Sequence, residues 1–272
     1  MVKYIYCVRW WIMSSFNDFD LYLLDMDGTI YFENKLIDGA SDFINWLNDN
    51  KKHYIFVSNN SSVNKNVYLS KMKNLGIKCE EENVFSSSMA MGIYLSENYP
   101  GKRVYLVGTK SLEFELLNYG VNLVTENAEI VVVGYDQELT YQKLVDACYF
   151  LDNGAIFLAT NPDLVYPLKN KRYIPDCGSI CNMLTNATSK VPTYIGKPNN
   201  YIVDILARKY NVSRNKMVIV GDRLYTDIQM AINSNINSVL VLTGETNMEM
   251  VNNSNIKPDF IVSSIKELIK NN

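Results

Sequence analysis

Short runs of continuous apolar residues recur along this chain, and several are followed at once by small or charged residues. The first, Leu21-Tyr-Leu-Leu24, runs into Asp25-Met-Asp27-Gly28-Thr29. An apolar run of this length, bounded by a turn signal, predicts a strand buried on both faces, as in a parallel sheet. Tyr54-Ile-Phe-Val57 has the same form and spills into Ser58-Asn59-Asn60. Thr193-Tyr-Ile195 precedes Gly196-Lys197-Pro198, and Met217-Val-Ile-Val220 runs into Gly221-Asp222, with Asp227 close behind. Helical periodicity fills the intervals. Positions 40–48 put Phe43, Ile44 and Leu47 on one face, 64–75 is stopped by Gly76, and 199–209 carries Ile202, Ile205 and Leu206 along one stripe. The Asn-rich stretch 247–255 reads as a loop, and a short helix around 265–269 closes the chain.

From about Glu82 a second set of elements begins. Positions 89–99 predict a helix, Arg103–Val107 a strand, and 111–119 a helix capped by Ser111. Ile130–Val133 is the next strand, 140–152 a helix, and 155–158 a strand opening into Thr160-Asn161-Pro162-Asp163. Repeated strand–helix alternation throughout predicts an α/β protein. The expected architecture is a doubly wound, Rossmann-like parallel-sheet core with an inserted α/β domain. The core is expected over 14–81 and 188–272, the insertion over 82–187, and 1–13 as an N-terminal extension. No self-similar period of repeat-array length recurs.

Composition narrows the chemistry. A net charge of −3 gives no basic footprint, so nucleic acid is not an expected partner. The stretch 1–13 is apolar but broken by Lys3 and Arg9 and is too short to span a bilayer; it reads as a non-essential extension with no membrane partner, a weak interfacial anchor being the alternative. Five scattered cysteines form no CxxC pair and lack histidines to complete a zinc site, which suits reduced thiols in a cytoplasmic protein. His53 is the only histidine, and it sits ahead of a strand. Mechanisms built on Ser-His, Cys-His or poly-histidine metal centres therefore have almost no material. Carboxylates and lysines remain.

Four strand ends share one format: Asp25/Asp27, Ser58/Asn59, Lys197, and Asp222/Asp227. In a doubly wound sheet all four can converge at the carboxyl edge, where ligands bind. Taken singly, each is an ordinary turn. Their order, Asp-Met-Asp-Gly-Thr, Ser-Asn-Asn, Gly-Lys-Pro, Gly-Asp-Arg-Leu-x-Thr-Asp, resembles the haloacid-dehalogenase superfamily. The likeness is strongest to its branch of small-molecule phosphatases related to p-nitrophenylphosphatase and to the nucleotide phosphatase of the N-acetylglucosamine operon. It extends from about Asp20 to the end and includes Val133-Gly-Tyr-Asp136, Ala159-Thr-Asn-Pro-Asp163 and Cys177-Gly-Ser179. Asp176 departs from the pattern, where a small residue is common. Only 28 residues separate Thr29 from Ser58, too few for an inserted domain, whereas more than a hundred lie between Asn60 and Lys197.

The resemblance implies a phosphomonoesterase acting on a small phosphate ester through an aspartyl-phosphate. It makes Asp25 the nucleophile, Asp27 the general acid and then base, and Lys197 the neutralising cation. Mg²⁺ would be held by Asp25, the Asp27 backbone carbonyl and Asp222, with Asp227 one layer further out, orienting waters or a ligand. Ser58 and the Asn59 amide would hold phosphoryl oxygens. Asn161, Asp163 and Tyr166 are expected near the substrate, with turn-forming roles equally open for Asn161 and Asp163. A homodimer through the inserted cap is a family-level expectation. The rival readings are a phospho-accepting, receiver-like signalling module and a non-catalytic binding protein on the same fold. A receiver needs neither the insertion nor an acid two residues after its phospho-acceptor.

Overall fold

The computed structural model describes residues 16–168 and 172–270. The expected extension 1–13 lies outside the described residues. The described chain forms two compact units: one holds the residues up to Val57 with Leu69–Val84 and Pro198 onward, the other Ser58–Tyr68 and Phe85–Lys197. The second unit therefore reaches beyond 187 to Lys197 and takes the Ser58 loop with it. Hydrogen bonds explain this grouping. Asn59 bonds the backbone of Lys197, and the hydroxyl of Ser61 bonds that of Thr160 and the amide of Tyr135.

The core is a six-stranded sheet in the order Phe260–Val262, Asn237–Val241, Met217–Gly221, Leu21–Leu24, His53–Ser58, Val84–Ser86. The first five strands run parallel, with Leu24 opposite both Val220 and Phe56. Every residue of Leu21–Leu24 and of Met217–Gly221 is buried. That is why these segments read as unbroken apolar runs: both faces are covered. Chain order reverses between those two central strands, so the crevice beyond their carboxyl ends is the topological switch point where such sheets take ligands. Tyr31–Phe32 and Lys35–Leu36 form a small antiparallel hairpin just after the first strand.

The second unit carries its own parallel sheet, ordered Thr193–Tyr194, Ile156–Ala159, Ile130–Val133, Arg103–Val107, Asn122–Leu123. Its core packs Tyr105, Val131, Val133 and Phe157 against Phe150, Leu151, Ile180 and Leu184. The antiparallel pair Val165–Leu168 and Arg172–Pro175 precedes a helix, Cys177–Thr188. Among the described residues no helix is long and apolar enough to cross a membrane.

Two local expectations are corrected. The helix Lys110–Asn118 is capped by Thr109, whose hydroxyl accepts from the Leu112 amide, and Ser111 lies inside the first turn. Thr109 directly follows the strand-terminating Gly108 and keeps an extended backbone, as a cap requires. The stretch 247–255 is not all loop. Asn247 accepts from the Met250 amide and starts the helix Met248–Asn253, which buries Val251 against Leu224, Ile228 and Leu240. Its polar composition hid a single apolar anchor.

Candidate active site

The parallel register sets the first cluster. The Asp25 amide donates to the Val220 carbonyl at 2.9 Å, continuing the sheet ladder, so Asp25 and Gly221-Asp222 leave the sheet side by side. Asp227 enters from the turn Leu224–Ile228, wound more widely than an α-helix, a form frequent at functional sites. Carboxylate oxygens of Asp25, Asp222 and Asp227 all lie within 4.8 Å of one another. Asp222 is 2% exposed and Asp227 fully buried.

The bonds around Asp222 are lopsided. Its Oδ2 accepts from the Glu245 amide at 2.6 Å, while Oδ1, equally buried, has no hydrogen-bond partner among the described residues. Burial, with the nearby charge of Asp227 second, pushes the Asp222 carboxyl up to about 7. Gly28 makes room for it. Its φ is +91°, and a Cβ there would sit 2.6 Å from Asp222 Oδ2. The Thr243 hydroxyl fixes that turn by donating to the Gly28 carbonyl at 2.6 Å.

Three clustered carboxylates, two of them out of water, are costly unless a cation compensates them. The unpartnered, buried Asp222 carboxylate oxygen supports such a site, because most native buried acceptors are satisfied and this one carries charge. An all-oxygen, anionic donor set suits a hard divalent cation such as Mg²⁺ and does not suit a soft metal. The residues present fit the group.

Asp27 stands apart from that trio. It is half-exposed, and its side chain turns toward Tyr31 and Lys71. Lys71 Nζ lies 3.8 Å from Asp27 Oδ1, and the Tyr31 hydroxyl 3.5 Å from Oδ2. Burial lowers the Lys71 ammonium from its usual value, opposed by the charge of Asp27.

In the second unit the predicted residues form another cluster. Ser58 is buried, its hydroxyl accepting from the Asn60 amide at 3.2 Å and lying 3.1 Å from the Tyr68 hydroxyl. The Asn59 side chain clamps the backbone of Lys197, accepting from its N–H and donating to its carbonyl, both at 2.9 Å. Asn59 also donates to Asp163 Oδ2 at 2.7 Å. Gly196 permits this approach: a Cβ there would meet Asn59 Oδ1 at 2.8 Å and the Thr160 carbonyl at 2.4 Å. Lys197 itself is 2% exposed. Asn161, fully buried, donates to Asp163 at 2.9 Å and to Asp176 at 3.1 Å. Tyr166 stacks on Tyr135, ring centroids 5.4 Å apart.

Sequence reasoning missed Lys71 and the purpose of Asp176. Asp176 caps the helix Cys177–Thr188 and receives Asn161, so the departure from the family pattern has a helix-starting role. A helix-start signal, an acidic residue just ahead of a periodic stretch, was there to be read. Lys71 sits among other lysines on a polar helix and carries no such mark.

Residues 22–122 match the family of haloacid dehalogenase-like hydrolases, and residues 194–268 match a second, HAD-hydrolase-like family. The acid sugar phosphatase of Staphylococcus saprophyticus is 34% identical over 93% of this chain and 98% of its own length. The 5'-nucleotidase YutF of Bacillus subtilis is 34% identical over 91% of this chain and 96% of its own. The 4-nitrophenylphosphatase of Thermotoga maritima superposes with a TM-score of 0.90 at 36% identity, covering 93% of this chain and 97% of that one. The fold and its edge of carboxylates define a hydrolase of the haloacid dehalogenase-like family, to which the chain belongs. Within it the chain falls among the NagD-like phosphatases.

Proposed function

We propose that this protein is a Mg²⁺-dependent phosphomonoesterase for small phosphorylated metabolites, working through an aspartyl-phosphate at Asp25. The observation that carries the reading is the trio Asp25, Asp222 and Asp227, with an unpartnered Asp222 oxygen buried in it. Sugar, nucleotide and aryl phosphates all appear in the names of its relatives. We therefore leave the class at small phosphate esters.

Asp25, Asp222 and the Asp27 backbone carbonyl would hold the cation, with Asp227 steadying the cluster. The cation, when bound, offsets the negative charge that keeps an anionic ester away from carboxylates. An Asp25 oxygen attacks phosphorus and the ester P–O bond breaks, while the Asp27 carboxyl passes its proton to the departing oxygen. Asp27, now a carboxylate, takes a proton from water. That water attacks phosphorus, the P–O bond to Asp25 breaks, and inorganic phosphate and free Asp25 result. The Ser58 hydroxyl and the Asn59 amide hold phosphoryl oxygens, and the Lys197 ammonium neutralises the transferring group. Asn161 and Asp163 support the Asn59 clamp on Lys197, and Tyr166 is expected near the substrate.

Phosphate release across sugar phosphates, nucleoside monophosphates and 4-nitrophenyl phosphate tests this. Turnover is expected with Mg²⁺ and is lost on chelation, returning when Mg²⁺ is added back. Undiminished release in excess chelator overturns the metal-dependent reading.

A further inference from the structure

Asp27 is half-exposed, with 35% of its side chain in solvent, and a carboxylate so placed is ordinarily free to turn. Here each of its oxygens faces a partner. Oδ1 faces the Lys71 ammonium at 3.8 Å and Oδ2 the Tyr31 hydroxyl at 3.5 Å. The two partners are themselves joined, because Lys71 Nζ lies 3.7 Å from the centroid of the Tyr31 ring. Tyr31 is 1% exposed, and its carbonyl accepts from the Gly28 amide at 2.8 Å, so the ring is anchored in the turn that carries Asp27. Tyr31 thereby fixes the ammonium from below and one carboxylate oxygen from the side.

An isolated surface ion pair between flexible chains has little positional value. An ammonium held over an aromatic face gains attraction from the ring as well, and loses the freedom that makes surface pairs weak. Two side chains, Tyr31 just after the first turn and Lys71 from the helix Lys65–Asn74, make a cradle for one carboxyl group.

We propose that Lys71, with Tyr31, is a positioning residue that aims the Asp27 carboxyl at the leaving-group oxygen. This rests on the reading of Asp27 as general acid. Proton delivery depends on aim, since the acid must lie within hydrogen-bond reach of the departing oxygen. The need is greatest when the leaving group is a poor one. Loss of Lys71 should therefore penalise poor leaving groups selectively, which damage to the fold does not do.

The test compares kcat/KM for phenyl phosphate and for 4-nitrophenyl phosphate, two substrates of similar shape whose leaving groups differ in basicity. The ratio of the two cancels any change in the fraction of folded enzyme. Lys71→Met is expected to lower the phenyl to 4-nitrophenyl ratio by about tenfold, and Asp27→Asn by at least as much. Lys71→Arg restores most of the ratio, and Lys71→Met adds nothing further in the Asp27→Asn background. A ratio unchanged in Lys71→Met but lowered in Asp27→Asn overturns the role of Lys71 alone. A ratio unchanged in Asp27→Asn overturns the assignment of Asp27 as the acid and takes the Lys71 proposal with it.

Discussion

Asp25→Asn is expected to abolish steady-state turnover, with a loss on the order of 10⁴-fold or more, while leaving the protein folded. An amide oxygen is a poor nucleophile, and no second carboxylate takes over. Asp222 and Asp227 are buried, the one held by the Glu245 amide and the other by the Arg223 amide. Such a loss is what removing a covalent nucleophile costs when only binding and charge stabilisation are left. The fold should survive because Asp25 keeps its place in the sheet through its backbone amide, which the substitution leaves untouched. Phosphate release and thermal unfolding, measured side by side, separate the two effects. Activity within tenfold of the unsubstituted enzyme would remove Asp25 from the role.

Asp222→Asn is expected to have the second large effect, moving stability and activity in opposite directions. The folded value of Asp222 is raised to about 7, above the ordinary 3.8, by burial and then by Asp227. A carboxyl with a raised folded value binds more protons folded than unfolded across that window. Its contribution is therefore fully present below about 4 and is lost as pH rises through about 7. Metal-free protein should lose thermal stability over that interval, and Mg²⁺ should restore it at pH 8 by binding only the folded state. In Asp222→Asn the side-chain oxygen can keep the Glu245 bond while the amide donates toward the neighbouring carboxylates. The variant should therefore be more stable than the unsubstituted protein in chelator at pH 8. It should show no Mg²⁺-induced rise in Tm and lose 10²-fold or more in kcat/KM. A preserved Mg²⁺ shift in this variant would exclude Asp222 as a ligand.

The elements that position the acids were the easiest to read, for a physical reason. A strand covered on both faces must be apolar along its whole length, so Leu21–Leu24 and Met217–Gly221 announced themselves, and the acids after them stood out as the cost such a core accepts. What stayed hidden depends on tertiary contact. Phe260–Val262 and Val84–Ser86 are three-residue edge strands, too short to show a period. The Cys177–Thr188 helix mixes small polar residues among its buried Ile180 and Leu184, so its Asp176 cap was the one local sign of it. The Asn59 clamp on Lys197 joins residues far apart in the chain, and no local signal announces such a pairing. Lys71 is invisible for the same reason. Only folding brings its ammonium over the Tyr31 ring.

Everything in the proposed chemistry turns on phosphorus passing through one carboxylate at the sheet's switch point. The direct measurement is to quench the enzyme in acid during turnover with Mg²⁺, reduce it with borohydride, and map the peptides by mass. An acyl phosphate at Asp25 is reduced to homoserine at that position alone, and the modification is absent without substrate. Modification at another residue, or rapid turnover with every carboxylate intact, would contradict the account.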